Sequence, residues 1–199
     1  MEDEIMDIKI NPQRIYGNWD EGWALDKHIE RSEFIGYDGY NHQQFDTTRT
    51  GLGEACYQLK YKNGLVENLL PYIKLFLDKW DKIKEVDFVL PTPPSDKSRD
   101  SQPAFKIAKA VAKYLGIKYT EKILFKNSSI QSKNMTTEEK QQIVGSINTT
   151  KEAKYEHNIL LVDDLYDSGA TLNECVKILK DDPKIKKVYV LTMTKTRGY

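Results

Sequence analysis

The sequence has little cysteine, no long apolar run and no excess of charge of one sign. Its two cysteines, Cys56 and Cys175, are too few for a disulfide framework or a zinc site. Thirty basic and thirty acidic side chains cancel, so the composition does not indicate a nucleic-acid partner. No stretch reaches the roughly 18 to 20 apolar residues that cross a bilayer, and the acidic start of the chain lacks a signal-peptide pattern. We therefore expect a cytoplasmic protein without a membrane partner.

What the sequence does contain is the composition of a soluble globular protein, with 39% hydrophobic and 30% charged residues. The pattern changes near residue 50. Residues 1–50 are rich in aromatic residues, Gly, Asp and Asn, which predicts a small N-terminal extension of short strands and turns. In residues 51–199, short apolar runs typical of strands alternate with segments in which apolar residues recur at helical spacing. This alternation predicts an α/β domain with a central, mostly parallel sheet flanked by helices.

Apolar runs at 86–90, 123–125, 158–162 and 188–193 are the predicted strands of this sheet. In folds of this kind ligands bind beyond the carboxyl ends of the strands. The informative loops are therefore those that follow Leu90, Phe125, Val162 and Met193.

The segment 159–171 joins a buried apolar run to an acidic pair and a small-residue turn. Asp163 and Asp164 follow the predicted strand, where their carboxylates can accept hydrogen bonds from a vicinal diol. The turn after them opens a helix, whose N–H groups and dipole favour an anion such as a phosphate monoester. A phosphate site beside diol-binding acids describes a ribose 5-phosphate. The turn residues predicted to bind the phosphate are Ser168, Gly169, Ala170 and Thr171.

Many strand-to-helix junctions carry Asp and Gly only as caps, and an isolated Asp-Asp pair would favour that alternative. The complete order of strand, two acids, turn and helix favours a functional site. This order resembles the phosphoribosyl pyrophosphate signature of type I phosphoribosyltransferases, with Tyr166 in place of an aliphatic residue. Stretches at 59–64, 89–94 and 115–117 are similar to the ComF-type branch of that family. ComF-type proteins often begin with a cysteine-rich zinc module, which residues 1–50 replace here.

The resemblance implies displacement of pyrophosphate from the ribose C1 of phosphoribosyl pyrophosphate by a nitrogenous base, in a protein that often forms homodimers. It implies Mg²⁺ bridging the pyrophosphate and the ribose hydroxyls, with Asp163 or Asp164 as the only candidate direct ligands. It also implies a flexible flap over 126–140, with Lys126, Lys133 and Lys140 as candidate phosphate contacts. The pyrophosphate would lie at the polar loop that follows the first core strand. The alternative is that this loop is only a solvated turn. The candidate pyrophosphate-binding residues in the loop are Ser95, Lys97, Ser98 and Arg99.

Two residues bear on the acceptor. Asp167 occupies a position where hypoxanthine-guanine phosphoribosyltransferases carry a proton-transferring Asp, and Lys195 resembles the lysine that those enzymes aim at a 6-oxo group. Together they suggest a 6-oxopurine-like acceptor and a catalytic role for Asp167 beside Asp163 and Asp164. The alternative is that Asp167 caps the helix and Lys195 faces solvent. Residues 1–50 could complete the acceptor pocket as a hood, and a non-catalytic sensor that binds the same ligand is the alternative function.

Overall fold

A computed structural model describes residues 8–94, 102–126, 147–150 and 152–196 of the chain. The described helices are α1 (Gly51–Tyr61), α2 (Leu70–Leu77), α3 (Pro103–Leu115) and α4 (Ala170–Lys180), with 3₁₀ turns at Val66–Leu69 and Asp81–Glu85. The strands are β1 (Gln13–Arg14), β2 (Glu21–Lys27), β3 (Ile29–Tyr37), β4 (Gln43–Arg49), β5 (Phe88–Pro91), β6 (Lys118–Tyr119), β7 (Leu124–Lys126), β8 (Ile147–Thr149), β9 (His157–Tyr166) and β10 (Ile185–Lys195).

Six of these strands form the central sheet, in the order β1-β2-β10-β9-β5-β6. Every neighbouring pair is parallel except β1 with β2. The middle parts of the two central strands, 159–162 of β9 and 188–191 of β10, are buried and mostly apolar, because both faces of the sheet are covered there. One face packs on α1, α2 and α3, and the other packs on α4. The predicted α/β fold with a mostly parallel, helix-flanked sheet is confirmed.

One predicted strand has a different role. The run at 123–125 becomes β7, which leaves the central sheet and pairs antiparallel with β8. Its place beside β5 is taken by the two-residue strand β6, which the apolar pattern did not reveal. Leu124 still contributes a buried side chain to the core, since it packs against the face that carries α4. The carboxyl edge of the sheet is therefore formed by β5, β9, β10 and β2.

The residues before α1 contribute to two separate structures. Strands β1 and β2 lie inside the central sheet, where β2 runs parallel to β10. Glu21 anchors this strand because its carboxylate accepts hydrogen bonds from the indole N–H groups of Trp23 (2.8 Å) and Trp80 (2.7 Å). Partial burial would raise the pKa of Glu21, but these donors and Arg14 outweigh burial and lower it. Residues 29–49 instead form a two-stranded hairpin, β3–β4, outside the sheet.

A search of the described residues finds no helix with the length and apolar character needed to cross a membrane.

Candidate functional site

The acidic pair lies where β9 emerges from the carboxyl edge of the sheet. Asp163 is opposite Thr192 of β10, and Val162 accepts a backbone hydrogen bond (3.0 Å) from Thr92, the residue after β5. The Thr92 hydroxyl donates to the Asp163 carboxylate, and the backbone N–H of Asp164 donates to Asp163 Oδ1 at 2.8 Å. Because side chains alternate along a strand, the two carboxylates leave β9 on opposite faces. At the end of the strand both acids nevertheless border the same cleft.

The two acids differ in electrostatic environment. Burial raises the pKa of the Asp163 carboxyl from its ordinary 3.8 to about 8, and the neighbouring Asp164 carboxylate adds to the effect. Asp164 instead forms an ion pair of 2.7 Å with Lys60 of α1. Both side chains of that pair are mostly buried, with exposures of 17% for Asp164 and 24% for Lys60. Ionisation of Asp163 is thus unfavourable in the folded protein, whereas Lys60 compensates the negative charge of Asp164.

The turn that follows the acids opens α4 at Gly169. Gly169 has φ +75°, a left-handed conformation that glycine adopts without the steric cost paid by other residues. A Cβ atom at this position would lie 2.9 Å from the Tyr166 ring. The cap residue Gly169 has no side chain to bond the first turn of α4, and the Ala170 N–H donates a long hydrogen bond to Ser168 Oγ; the other first-turn N–H groups can face an anion. Ser168 is exposed, and its Oγ lies 3.4 Å from the backbone nitrogen of Ala170.

A cleft of about 180 Å³ lies against this edge. It brings together Asp163, Asp164 and Thr171, which the sequence identified, with Lys126, a predicted phosphate contact. The remaining lining residues are Lys60, Thr92, Pro93, Pro94, Gln102, Pro103, Ala104, Phe105 and Leu165. Two acids, two lysines and Thr171 from the first turn of α4 thus share one concave surface, whereas Ser168, Gly169 and Ala170 do not line it.

The two acceptor candidates lie to one side of this cleft. Asp167 is exposed, and its Oδ1 accepts a hydrogen bond of 2.9 Å from the hydroxyl of Thr196. Lys195 ends β10 opposite Tyr166, and its carbonyl accepts a hydrogen bond of 2.8 Å from the backbone N–H of His28. The structure therefore places Asp167 beside the residue that follows Lys195. Asp167 is not the side-chain cap of α4, because Gly169 occupies the cap position.

Several predicted residues lie outside the described part of the chain. The pyrophosphate candidates Ser95, Lys97, Ser98 and Arg99 fall in 95–101, and the flap candidates Lys133 and Lys140 fall in 127–146. Their roles stay predictions. The residues that border the first gap, Pro94 and Gln102, both line the cleft.

Sequence reasoning did not single out Lys60 or Thr92 as site residues. Both contact the acidic pair, yet Lys60 is 104 positions away from Asp164 in the chain. Lys60 does lie within the stretch 59–64, on which the predicted ComF-type resemblance partly rests. The only general signal for it was that two adjacent buried acids require a counter-charge.

Comparisons with known proteins agree with this geometry. Residues 102–195, just under half of the chain, match the model of the phosphoribosyl transferase domain. Among curated proteins, none matches the sequence.

Three solved structures illustrate the likeness in fold. Adenine phosphoribosyltransferase from Leishmania tarentolae is 9% identical, with a TM-score of 0.45, and the alignment covers 93% of this chain and 94% of that one. The enzyme of the same name from Saccharomyces cerevisiae is 13% identical, with a TM-score of 0.43 and coverages of 82% and 83%. Phosphoribosylpyrophosphate synthetase from Mycobacterium smegmatis is 16% identical, with a TM-score of 0.40, and the alignment covers 67% of this chain and 34% of that one.

The domain match includes the acidic pair, the turn that opens α4 and the strand β10 beside them. These are the elements that form the carboxyl-edge site. The match to the phosphoribosyl transferase domain model therefore spans Asp163, Asp164 and the turn at 168–171, which are close together in the structure.

Proposed function

We propose that this protein is a phosphoribosyltransferase of the ComF-type branch, which transfers phosphoribosyl from phosphoribosyl pyrophosphate to a nitrogenous base. The observation that carries the proposal is the shared location of two acids and the first turn of α4, through Thr171, at one edge of the sheet. The carboxylates suit a vicinal diol and the helix terminus suits a phosphate. A ribose 5-phosphate has both groups on one small molecule.

Each part of the site has a step to perform. The turn at 168–171 holds the 5-phosphate, while Asp163 and Asp164 accept hydrogen bonds from the ribose hydroxyls and orient C1. The C1–O bond to pyrophosphate breaks with its electron pair on the leaving oxygen, and a nitrogen of the base forms the new C1–N bond. Positive charge that develops on the ribose is stabilised by the adjacent carboxylates. Asp167 receives the proton that the attacking nitrogen loses.

The described side chains fit a Mg²⁺ site only if the substrate supplies most of the ligands of the ion. Among the residues that the structure describes, no three His, Cys, Asp or Glu side chains converge on a metal position. Asp163 and Asp164 provide the hard oxygen atoms that Mg²⁺ prefers. When bound, the ion neutralises charge on the pyrophosphate and makes it a better leaving group.

The acceptor is expected to be a 6-oxopurine-like base, which Asp167 and Lys195 would recognise. Pyrophosphate release should therefore be measured with 6-oxopurines, 6-aminopurines and pyrimidines in the presence of Mg²⁺. Asp167→Asn should reduce kcat by about 100-fold, a typical contribution of one proton-transfer group, with little change in ribose 5-phosphate affinity. An equal loss of turnover and binding would contradict proton transfer. Tight phosphoribosyl pyrophosphate binding with no release for any base would instead support a sensor.

The hairpin β3–β4 offers an aromatic surface for the acceptor. Phe34 lies opposite Phe45 with ring centroids 5.7 Å apart, and Tyr37 is 5.3 Å from Phe34. All three side chains are at least half exposed. An isolated two-stranded hairpin is marginally stable, and an exposed apolar patch of this kind is typical of a binding surface. The hairpin begins beside Lys195, since His28 bonds to the Lys195 carbonyl. These contacts support a hood role for this part of residues 1–50.

Replacing Phe34 and Phe45 together by serine should raise the KM for the base by about 10-fold, because each aromatic contact contributes about 0.5–1.5 kcal/mol. The affinity for phosphoribosyl pyrophosphate should not change. A matched control replaces Arg31 and Glu33, which pair with each other at 2.6 Å on the same hairpin, by serine. If both double variants behave alike in steady-state kinetics, the aromatic surface does not bind the acceptor.

A further inference from the structure

Lys60 reaches the cleft from an element that belongs to neither the acidic motif nor the matched domain. It lies near the end of α1, and its Nζ is 2.7 Å from Asp164 Oδ2. Burial would lower the pKa of the Lys60 ammonium, but the Asp164 carboxylate outweighs burial and raises it. Lys60 is therefore a charged group held out of bulk water. An ion pair of this kind gives little net stability, because desolvation offsets much of the attraction. Its position requires a further reason.

The charges that line the cleft give a reason for the position of Lys60. Asp164, joined by Asp163 when that residue is ionised, places negative charge beside the position proposed for a pyrophosphorylated ribose, which is itself a polyanion. Lys60 and Lys126 are the cationic side chains among the described residues that line the cleft. Without such cations the acids would repel the leaving-group end of the substrate. A lysine suits an exchange of partners because its ammonium has three donors on a flexible four-carbon stem.

In the proposed complex, Lys60 and a ribose hydroxyl compete for the carboxylate of Asp164. Lys60 donates a hydrogen bond to Asp164 Oδ2, on the carboxylate that is proposed to accept a hydrogen bond from a ribose hydroxyl. Pro94 and Gln102 line the cleft with Lys60, so the cleft extends from Asp164 to the residues after β5 and to the start of α3. A short movement of the ammonium would release the carboxylate and bring the positive charge to that side.

We propose that Lys60 exchanges Asp164 for the pyrophosphate group when substrate binds, so that it acts as a pyrophosphate-binding residue supplied by α1. The inference rests on the proposed function. It assigns to α1 a substrate contact, and it makes the Lys60–Asp164 pair the resting state of the site.

Two ligands distinguish this role from a structural ion pair. Phosphoribosyl pyrophosphate and ribose 5-phosphate share the ribose and the 5-phosphate, but only the first carries pyrophosphate. Lys60→Met should weaken binding of phosphoribosyl pyrophosphate by about 10- to 100-fold, the usual range for losing a charge-assisted hydrogen bond. Binding of ribose 5-phosphate should change at least 10-fold less. Lys60→Arg, which keeps the charge, should retain most of the affinity for both ligands.

The measurement is calorimetric titration of each ligand with Mg²⁺ into the full chain. Lys62→Met is the matched control, because Lys62 is exposed two residues further on, and it should leave both affinities unchanged. Lys60→Gln keeps a donor to Asp164, so it serves if Lys60→Met does not fold. Equal losses for both ligands, or no loss for either, would overturn the role of Lys60. If the unaltered protein does not bind phosphoribosyl pyrophosphate, the proposed function itself fails.

Discussion

Replacing Asp163 and Asp164 together by asparagine is expected to weaken phosphoribosyl pyrophosphate binding at least about 100-fold. Above about pH 8, where both acids are ionised, each carboxylate accepts a charge-assisted hydrogen bond worth about 1.5–3 kcal/mol, and every 1.4 kcal/mol corresponds to about a tenfold change in affinity. Asparagine has nearly the same shape, so Thr92 and the backbone keep an acceptor. The loss should therefore appear in binding and not in the fold. Calorimetric titration, with circular dichroism to monitor the fold, measures both.

The single variant Asp163→Asn should bind substrate poorly and yet be more stable than the unaltered protein. The raised pKa means that the folded state retains the Asp163 proton up to about pH 8, whereas the unfolded chain releases it near pH 4. Below pH 4 both states are protonated, so the residue has no effect there. Between about pH 4 and 8, ionisation favours the unfolded state increasingly as the pH rises. Neutral asparagine removes this penalty.

Thermal unfolding at pH 5 and pH 8 checks this expectation, because the stability advantage of Asp163→Asn should be larger at pH 8. Asp181→Asn is the control, since Asp181 is exposed after α4 and away from the carboxyl edge. It should change neither binding nor the pH dependence. An unaltered affinity in the double variant would remove both acids from the ligand site. A stability advantage that does not grow with pH would contradict the buried, raised-pKa state of Asp163.

Gly169→Ala is expected to weaken ribose 5-phosphate binding by about 10-fold or more, through loss of the turn geometry. The new methyl group would meet the Tyr166 ring at 2.9 Å in a left-handed conformation. The turn or the ring must therefore move, and the N–H groups that open α4 lose their alignment. Alignment of such donors with a charged phosphate is worth about 1.5–3 kcal/mol for each hydrogen bond.

Gly116→Ala provides a closely matched control. Gly116 also has a left-handed backbone, with φ +68°, but a Cβ atom there meets nothing within 4 Å. Both substitutions should lower stability by about 1 kcal/mol through backbone strain, and only Gly169→Ala should affect binding. Denaturant unfolding and ligand titration on both variants separate the two effects. Equal binding by the two variants would show that the turn at 169 does not hold the phosphate.

The sequence by itself predicted the central architecture, because apolar runs such as 158–162 satisfy both faces of a parallel strand. It also located Asp163, Asp164 and the turn at 168–171 at one strand-to-helix junction. Residues that are contiguous in the chain and joined by regular elements must lie near one another. Local patterns were sufficient for this part of the site.

Only the tertiary structure decided which distant residues meet that junction. Lys60 comes from α1 and Thr92 from the end of β5, and no local pattern encodes a contact across 104 positions. The same limit applies to β2, whose place beside β10 depends on side chains such as Glu21 bonding to Trp80. Helical and strand periodicity arise from neighbours along the chain. Ion pairs and sheet order arise from which surfaces pack together, and that packing is a property of the whole fold.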